Sequence, residues 1–226
     1  MSTELARASA LSPPRLRGRL HMWCFIVSIP VGVVLVATAP TSRAAFAGAI
    51  FAFGTSAMFG VSATFHRTIF NDHDWLRFRR LDHMGIYLCI AGGFTPFGML
   101  ALDGWAQNLM LIGGWVGAAL GIAVRFLPFR PPYGLMNASF MLLGWIPVLT
   151  FGKLWDTVGA GWMVVTVIGG VCYNLGAFVV GLRRPDPWPN TFGYHEIWHT
   201  MVAIAATLHY CVVAFGVLPL AQDVVG

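Results

Sequence analysis

The chain has 226 residues, 57% hydrophobic and only 10% charged, where soluble domains carry roughly a quarter. So little charge cannot coat a soluble fold of this size, and apolar runs long enough to span a bilayer are expected. The net charge of +5 comes without a basic stripe interleaved with aromatics, which argues against nucleic acid as a partner. Cys24, Cys89, Cys172 and Cys211 lie far apart inside apolar runs, without CxxC spacing. That pattern argues against both a disulfide framework and a cysteine metal site.

The first 20 residues, MSTELARASALSPPRLRGRL, are polar and are expected to form a disordered cytoplasmic arm. Residues 21–226 are expected to form one membrane domain. Spans of about 20 residues fall at 21–41, 44–65, 81–101, 107–124, 134–152, 161–181 and 195–216. The first span ends in VATAP, which has a look of a signal-peptide cleavage site, but its apolar run is too long and an uncleaved helix is expected. The NDHDW segment at 71–75 reads as a polar loop. Twelve of the fourteen basic residues fall on one side of the spans, leaving Arg43 and Lys153 on the other. That bias predicts a cytoplasmic N-terminus and an external C-terminus, as an odd number of spans requires. The fold class is therefore all-α, a seven-helix transmembrane bundle in a cell (inner) membrane. Glycine-rich stretches such as GGWVGAALG (113–121) predict close helix packing.

The polar residues gather at one depth. HEIWH (195–199) puts His195 and His199 one turn apart at the cytoplasmic end of the last span. His66 closes the second span, with Ser62 one turn deeper on the same face, and Asp82 opens the third. Each residue alone has an ordinary explanation: a headgroup-level histidine, an interfacial Asp beside Arg79 and Arg80, a serine bonded to its own helix. Their coincidence at one end of three helices points to a shared site, because ionisable groups at membrane depth pair, line cavities or bind ions. Three neutral histidines with one open position make a catalytic type of zinc shell. Water in that position is acidified towards a pKa of about 7. Asp82 is placed to take its proton or orient it, and Ser62 to hydrogen-bond water or a polarised carbonyl. His21, His73, His83 and His209 are left out of this site on their positions.

The combination of Ser62-x-x-x-His66, LDHMGIYLCIAGGFTPF (81–97) and HEIWH (195–199) resembles the hemolysin III family. That family belongs with the progestin and adipoQ receptors, including the adiponectin receptors, and more distantly with the alkaline ceramidases. The resemblance spans essentially the whole chain and implies a seven-helix bundle holding Zn2+ through His66, His195 and His199. Ser62 and Asp82 match its remaining polar site positions. GGF (92–94) stands where a more polar small-residue stretch is typical of the family.

Three functions follow as expectations. The first is a zinc-dependent hydrolase of ceramide-like lipid amides, serving membrane lipid homeostasis, with membrane lipids or fatty acyl chains as ligands. The second is a non-enzymatic membrane sensor or receptor in which zinc clamps two helices. The third, implied by the hemolysin name, is a pore-forming cytolysin, although no span carries a polar stripe to line a channel. A metalloprotease reading of HEIWH would need Glu196 as base and a third ligand such as Asp103, which falls at the opposite membrane face. A retinal protein is excluded because Lys153, the sole lysine, sits in a loop.

Overall fold

A computed structural model describes residues 14–127 and 134–222. Seven helices are long and apolar enough to cross a membrane: α1 Arg19–Ala37, α2 Ser42–Arg67, α3 Asp72–Ala101, α4 Gly104–Phe126, α5 Asn137–Val158, α6 Ala160–Leu182 and α7 Tyr194–Ala221. The described residues contain no strand, only an isolated bridge between Trp188 and Phe192. In hydrocarbon each backbone N–H and C=O must be satisfied within the protein, and helices meet that demand segment by segment. Large apolar side chains stand exposed around the bundle, including Trp23, Phe53, Leu142, Phe178, Leu182 and Phe215. A surface of that kind is stable against acyl chains and not against water.

Helix starts follow local chemistry. Thr41 caps α2 by accepting a hydrogen bond from the Ala44 N–H at 3.2 Å. Asn71 caps α3 in the same way, accepting from Asp74 N–H at 2.8 Å. The NDHDW segment is therefore the first turn of α3 and not a loop. Asp72 and Asp74 in that turn also complement the positive end of the helix dipole. In α5, Pro147 lacks the N–H an α-turn needs, and Ile146–Thr150 tightens to a 3-10 turn.

Of the arm expected over the first 20 residues, residues 1–13 lie outside the described residues. Residues 15–18 form a turn in which the Arg15 and Leu16 N–H groups donate to Asn190 O and Thr191 O at 3.1 and 3.3 Å. Arg7 and Arg130, counted for orientation, also lie outside the described residues.

The α2–α3 contact is the most extensive, and glycine explains it. A Cβ on Gly54 would stand 2.6 Å from the Leu88 carbonyl oxygen, and one on Gly92 3.0 Å from that of Ile50. The two backbones touch there, so Gly92 of GGF (92–94) is a packing device, while Gly93 faces open space. The main apolar core lies towards the other end of the bundle from the histidines. There Leu35, Phe51, Phe94, Met110, Val213 and Leu218 meet. The same end carries Arg43, which donates to Met99 O at 2.6 Å, and the Lys153–Asp103 ion pair at 2.7 Å.

Candidate functional site

The last turns of α2 and the first turns of α7 converge at one end of the bundle. His66, His195 and His199 each offer a ring nitrogen there, and the three nitrogens lie within 4.8 Å of one another. Nε2 of His195 and Nε2 of His66 are 3.2 Å apart. The ring centroids are separated by 4.7 Å (His66–His195), 4.9 Å (His66–His199) and 4.6 Å (His195–His199). His199 is fully buried and the other two are half-buried. Two nitrogens held about 2.0–2.1 Å from one ion at a tetrahedral angle stand roughly 3.4 Å apart, close to the spacing of the His66–His195 pair, and with His199 the three imidazoles form a donor set that could hold such an ion. For both His66 and His195 to turn Nε2 lone pairs inward, their protons must sit on Nδ1.

Ser62 and Asp82 adjoin the cluster. Ser62 is buried at 4% exposure on α2, and its hydroxyl meets the carboxyl of Asp82 on α3. The other partner of that hydroxyl is His21 on α1, whose Nδ1 lies 2.9 Å away. His21 is only 2% exposed and its ring stacks on His199, with centroids 3.9 Å apart and planes 7° from parallel. Its Nε2 is buried without a hydrogen-bond partner. His21 was passed over in the sequence because its partners lie on other helices, with Ser62 41 residues away. The available signal was a histidine just inside the first apolar run, at the depth of the others.

The remaining histidines stand apart. His73 is exposed in the first turn of α3, and His83 faces the Phe140 ring on α5 at 5.8 Å. His209 stacks on Tyr173 at 5.6 Å and packs against Gly169, with the ring atoms 3.0 Å from where a Cβ would stand.

Glu196, the acid of HEIWH, has both carboxylate oxygens engaged. Oε1 accepts from Arg17 Nε at 2.5 Å and Oε2 accepts from Gly193 N–H at 2.9 Å. The second bond is half of a capping box; glycine has no side chain to supply the other half. Asp186 completes the cap by accepting from Tyr194 N–H at 3.1 Å. Glu196 therefore fastens the start of α7 to the segment before α1. A protease base would need that carboxylate free. Asp103, its conceivable third ligand, is paired with Lys153 at the far end of α3, roughly 30 Å from Asp82 by helical rise.

Comparison with known proteins agrees with this architecture. A family model described as Haemolysin-III related matches residues 10–210. Hemolysin-3 of Bacillus cereus is 28% identical over 204 residues, covering 87% of this chain and 88% of its own length. The Drosophila melanogaster adiponectin receptor protein is 29% identical over 183 residues, covering 72% of this chain and 40% of the receptor. The human monocyte to macrophage differentiation factor is 32% identical over 171 residues, covering 71% of this chain and 66% of its own length. The match over nearly the whole chain, joined to seven membrane-crossing helices, makes this a multi-pass membrane protein of the haemolysin III family, within the wider group that includes the adiponectin receptors.

Proposed function

We propose that this protein is a zinc-dependent hydrolase of ceramide-like lipid amides, acting at the cytoplasmic leaflet. The observation that carries the reading is the convergence of three histidine nitrogens within 4.8 Å, with Ser62 and Asp82 beside them. His66, His195 and His199 are the ligands that would hold zinc. When bound, zinc supplies Lewis acidity, which acidifies water and polarises an acyl carbonyl. The chain's own residues do the rest. Asp82 takes up and returns a proton, and Ser62, held between Asp82 and His21, presents its hydroxyl to the carbonyl oxygen or to water. His21 fixes the plane of the His199 ring by stacking on it.

A lipid substrate suits the location, because the site lies between helices whose outer faces are apolar. The orientation follows from the basic-residue bias, which puts this end of the bundle in the cytoplasm. The test is release of fatty acid from a fluorescent N-acyl sphingosine by the zinc-loaded, detergent-purified protein. Turnover that disappears in Asp82→Asn supports the reading, and no release from any ceramide-like lipid sinks it.

One observation favours a second reading. The donors come from α2 and α7, so a bound ion would clamp two helices distant in sequence. A membrane sensor with structural zinc would lose thermal stability on zinc removal and have no turnover to lose.

A further inference from the structure

Near Asp82, three arginines gather with more positive than negative charge. Arg79 and Arg80 stand near the start of α3 and Arg125 in the last turn of α4, all half-buried. The Arg79 guanidinium lies over the Trp75 ring at 5.1 Å, and that of Arg80 over the Phe126 ring at 5.8 Å. Aromatic faces thus cover these cations and leave their N–H edges free. Arg125 feels the charges of both. Asp82 is the carboxylate facing Arg79 and Arg125, and it also serves Ser62. Among the described residues the ion pairs involve Arg17, His73, Arg77 and Lys153, and none of these three arginines.

Two buried nitrogens in the same place are unsatisfied: Nε of Arg125, a donor, and Nδ1 of His83, a donor in one of its tautomers. His83 is an electrostatic neighbour of both Arg79 and Arg125. Buried polar atoms are normally paired, and leaving them unpaired is costly. Three neighbouring cations, two of them facing a single carboxylate, leave room for a further anion, and several forked donors suit one with several oxygens. Arginine meets phosphate in that way, through paired charge-assisted hydrogen bonds. The cluster sits where α3 and α4 reach the headgroup layer, with Phe126 and Leu127 exposed beside it for acyl chains.

We propose that Arg79, Arg80 and Arg125, with His83, form a binding site for the phosphate of an anionic phospholipid. The site uses none of the metal ligands; it shares Asp82 with their surroundings, and His83 lies within electrostatic range of His66. Basic pockets between the cytoplasmic ends of membrane helices are suited to such headgroups.

The test is binding of phosphatidylglycerol and phosphatidylcholine to the detergent-purified chain, read by native mass spectrometry, with zinc content measured in parallel. Phosphatidylglycerol is expected to bind about tenfold tighter, the worth of one charge-assisted contact pair. Arg125→Gln and Arg80→Gln should each abolish that preference and leave zinc content unchanged. Arg125→Lys, which keeps the charge and loses the fork, should weaken it part-way and serves if Arg125→Gln does not fold. Arg77→Gln is the control, since Arg77 is exposed and pairs with Asp74. Equal binding of both lipids overturns the proposal, as does equal loss in the Arg77 variant. Glycerol phosphate, without acyl chains, competing as well as the lipid would show a soluble phosphate ligand and also overturn it.

Discussion

The ring of His21 lies flat against the ring of His199, 3.9 Å away, while its Nδ1 meets Ser62 at 2.9 Å. A residue of α1 thus braces a metal-ligand candidate of α7 and a polar residue of α2 at once. His21→Phe keeps a ring for stacking and removes the hydrogen bond to Ser62. It should lower stability by about 1–3 kcal/mol, the penalty of an unpaired buried partner, and retain zinc. His21→Ala removes the stack as well and should be less stable still. Thermal unfolding with metal analysis checks both, and a His21→Ala chain as stable as wild type would remove the bracing role.

Elemental analysis of the purified protein should find about one zinc per chain. His66→Ala, His195→Ala and His199→Ala should each lose it. Asp82→Asn should keep the metal and lower turnover by about 10²–10⁴-fold, as expected for a lost proton-transfer group. A His66→Ala chain that still holds stoichiometric zinc would show the ligand set to be wrong.

Glu196→Gln separates a structural from a catalytic carboxylate. The variant keeps an oxygen for Gly193 N–H and weakens the bond to Arg17, so stability should fall while zinc stays. Arg17→Ala should be the more damaging, by about 3 kcal/mol, the low end for breaking a buried pair. The low end applies because Arg17 keeps 22% of its side chain exposed against 5% for Glu196. Denaturant or thermal midpoints for both variants provide the check. Loss of lipid turnover in Glu196→Gln without any loss of stability would return the carboxylate to the chemistry.

Gly54→Ala tests the backbone contact between α2 and α3. Its methyl would stand 2.6 Å from the Leu88 carbonyl oxygen, which cannot move without its helix. A cost of about 1–3 kcal/mol is expected from overpacking. Gly152→Ala, where a Cβ meets nothing within 4 Å, is the control. Equal midpoints for the two variants would mean that the helices separate freely.

Lys153 holds the Asp103 carboxyl below its ordinary value of 3.8, first by hydrogen bond and then by charge. A carboxyl depressed in the folded state contributes stability that is present above its unfolded value. That contribution is lost as pH falls through the folded value. The pair is exposed, so the effect belongs below pH 4 and is best read site by site. A carbon-13 titration of Asp103 should shift up towards the ordinary value in Lys153→Met, and an unmoved midpoint would show the pair does not persist.

The seven spans and the histidine triad were legible because both are written in local spacing. About 20 apolar residues make a span, and two histidines four apart share a face. The start of α3 was also written locally, as Asn71 three residues before Asp74, yet its polar letters resembled a loop. His21 and the partner of Glu196 were hidden for a different reason. Arg17 and Glu196 are 179 residues apart, and only the packing of α1 beside α7 brings them together. The crowd of arginines around Asp82 was read as topology, because charge counts do not show which side chains lack a partner.

The link between the two ends of the chain also bears on biogenesis. His66 leaves the ribosome 129 residues ahead of His195. Until the seventh helix enters the bilayer, α2 offers a single imidazole, which cannot retain an ion. The three-histidine group therefore exists only once the seventh helix has arrived, and an interrupted translation product lacks it.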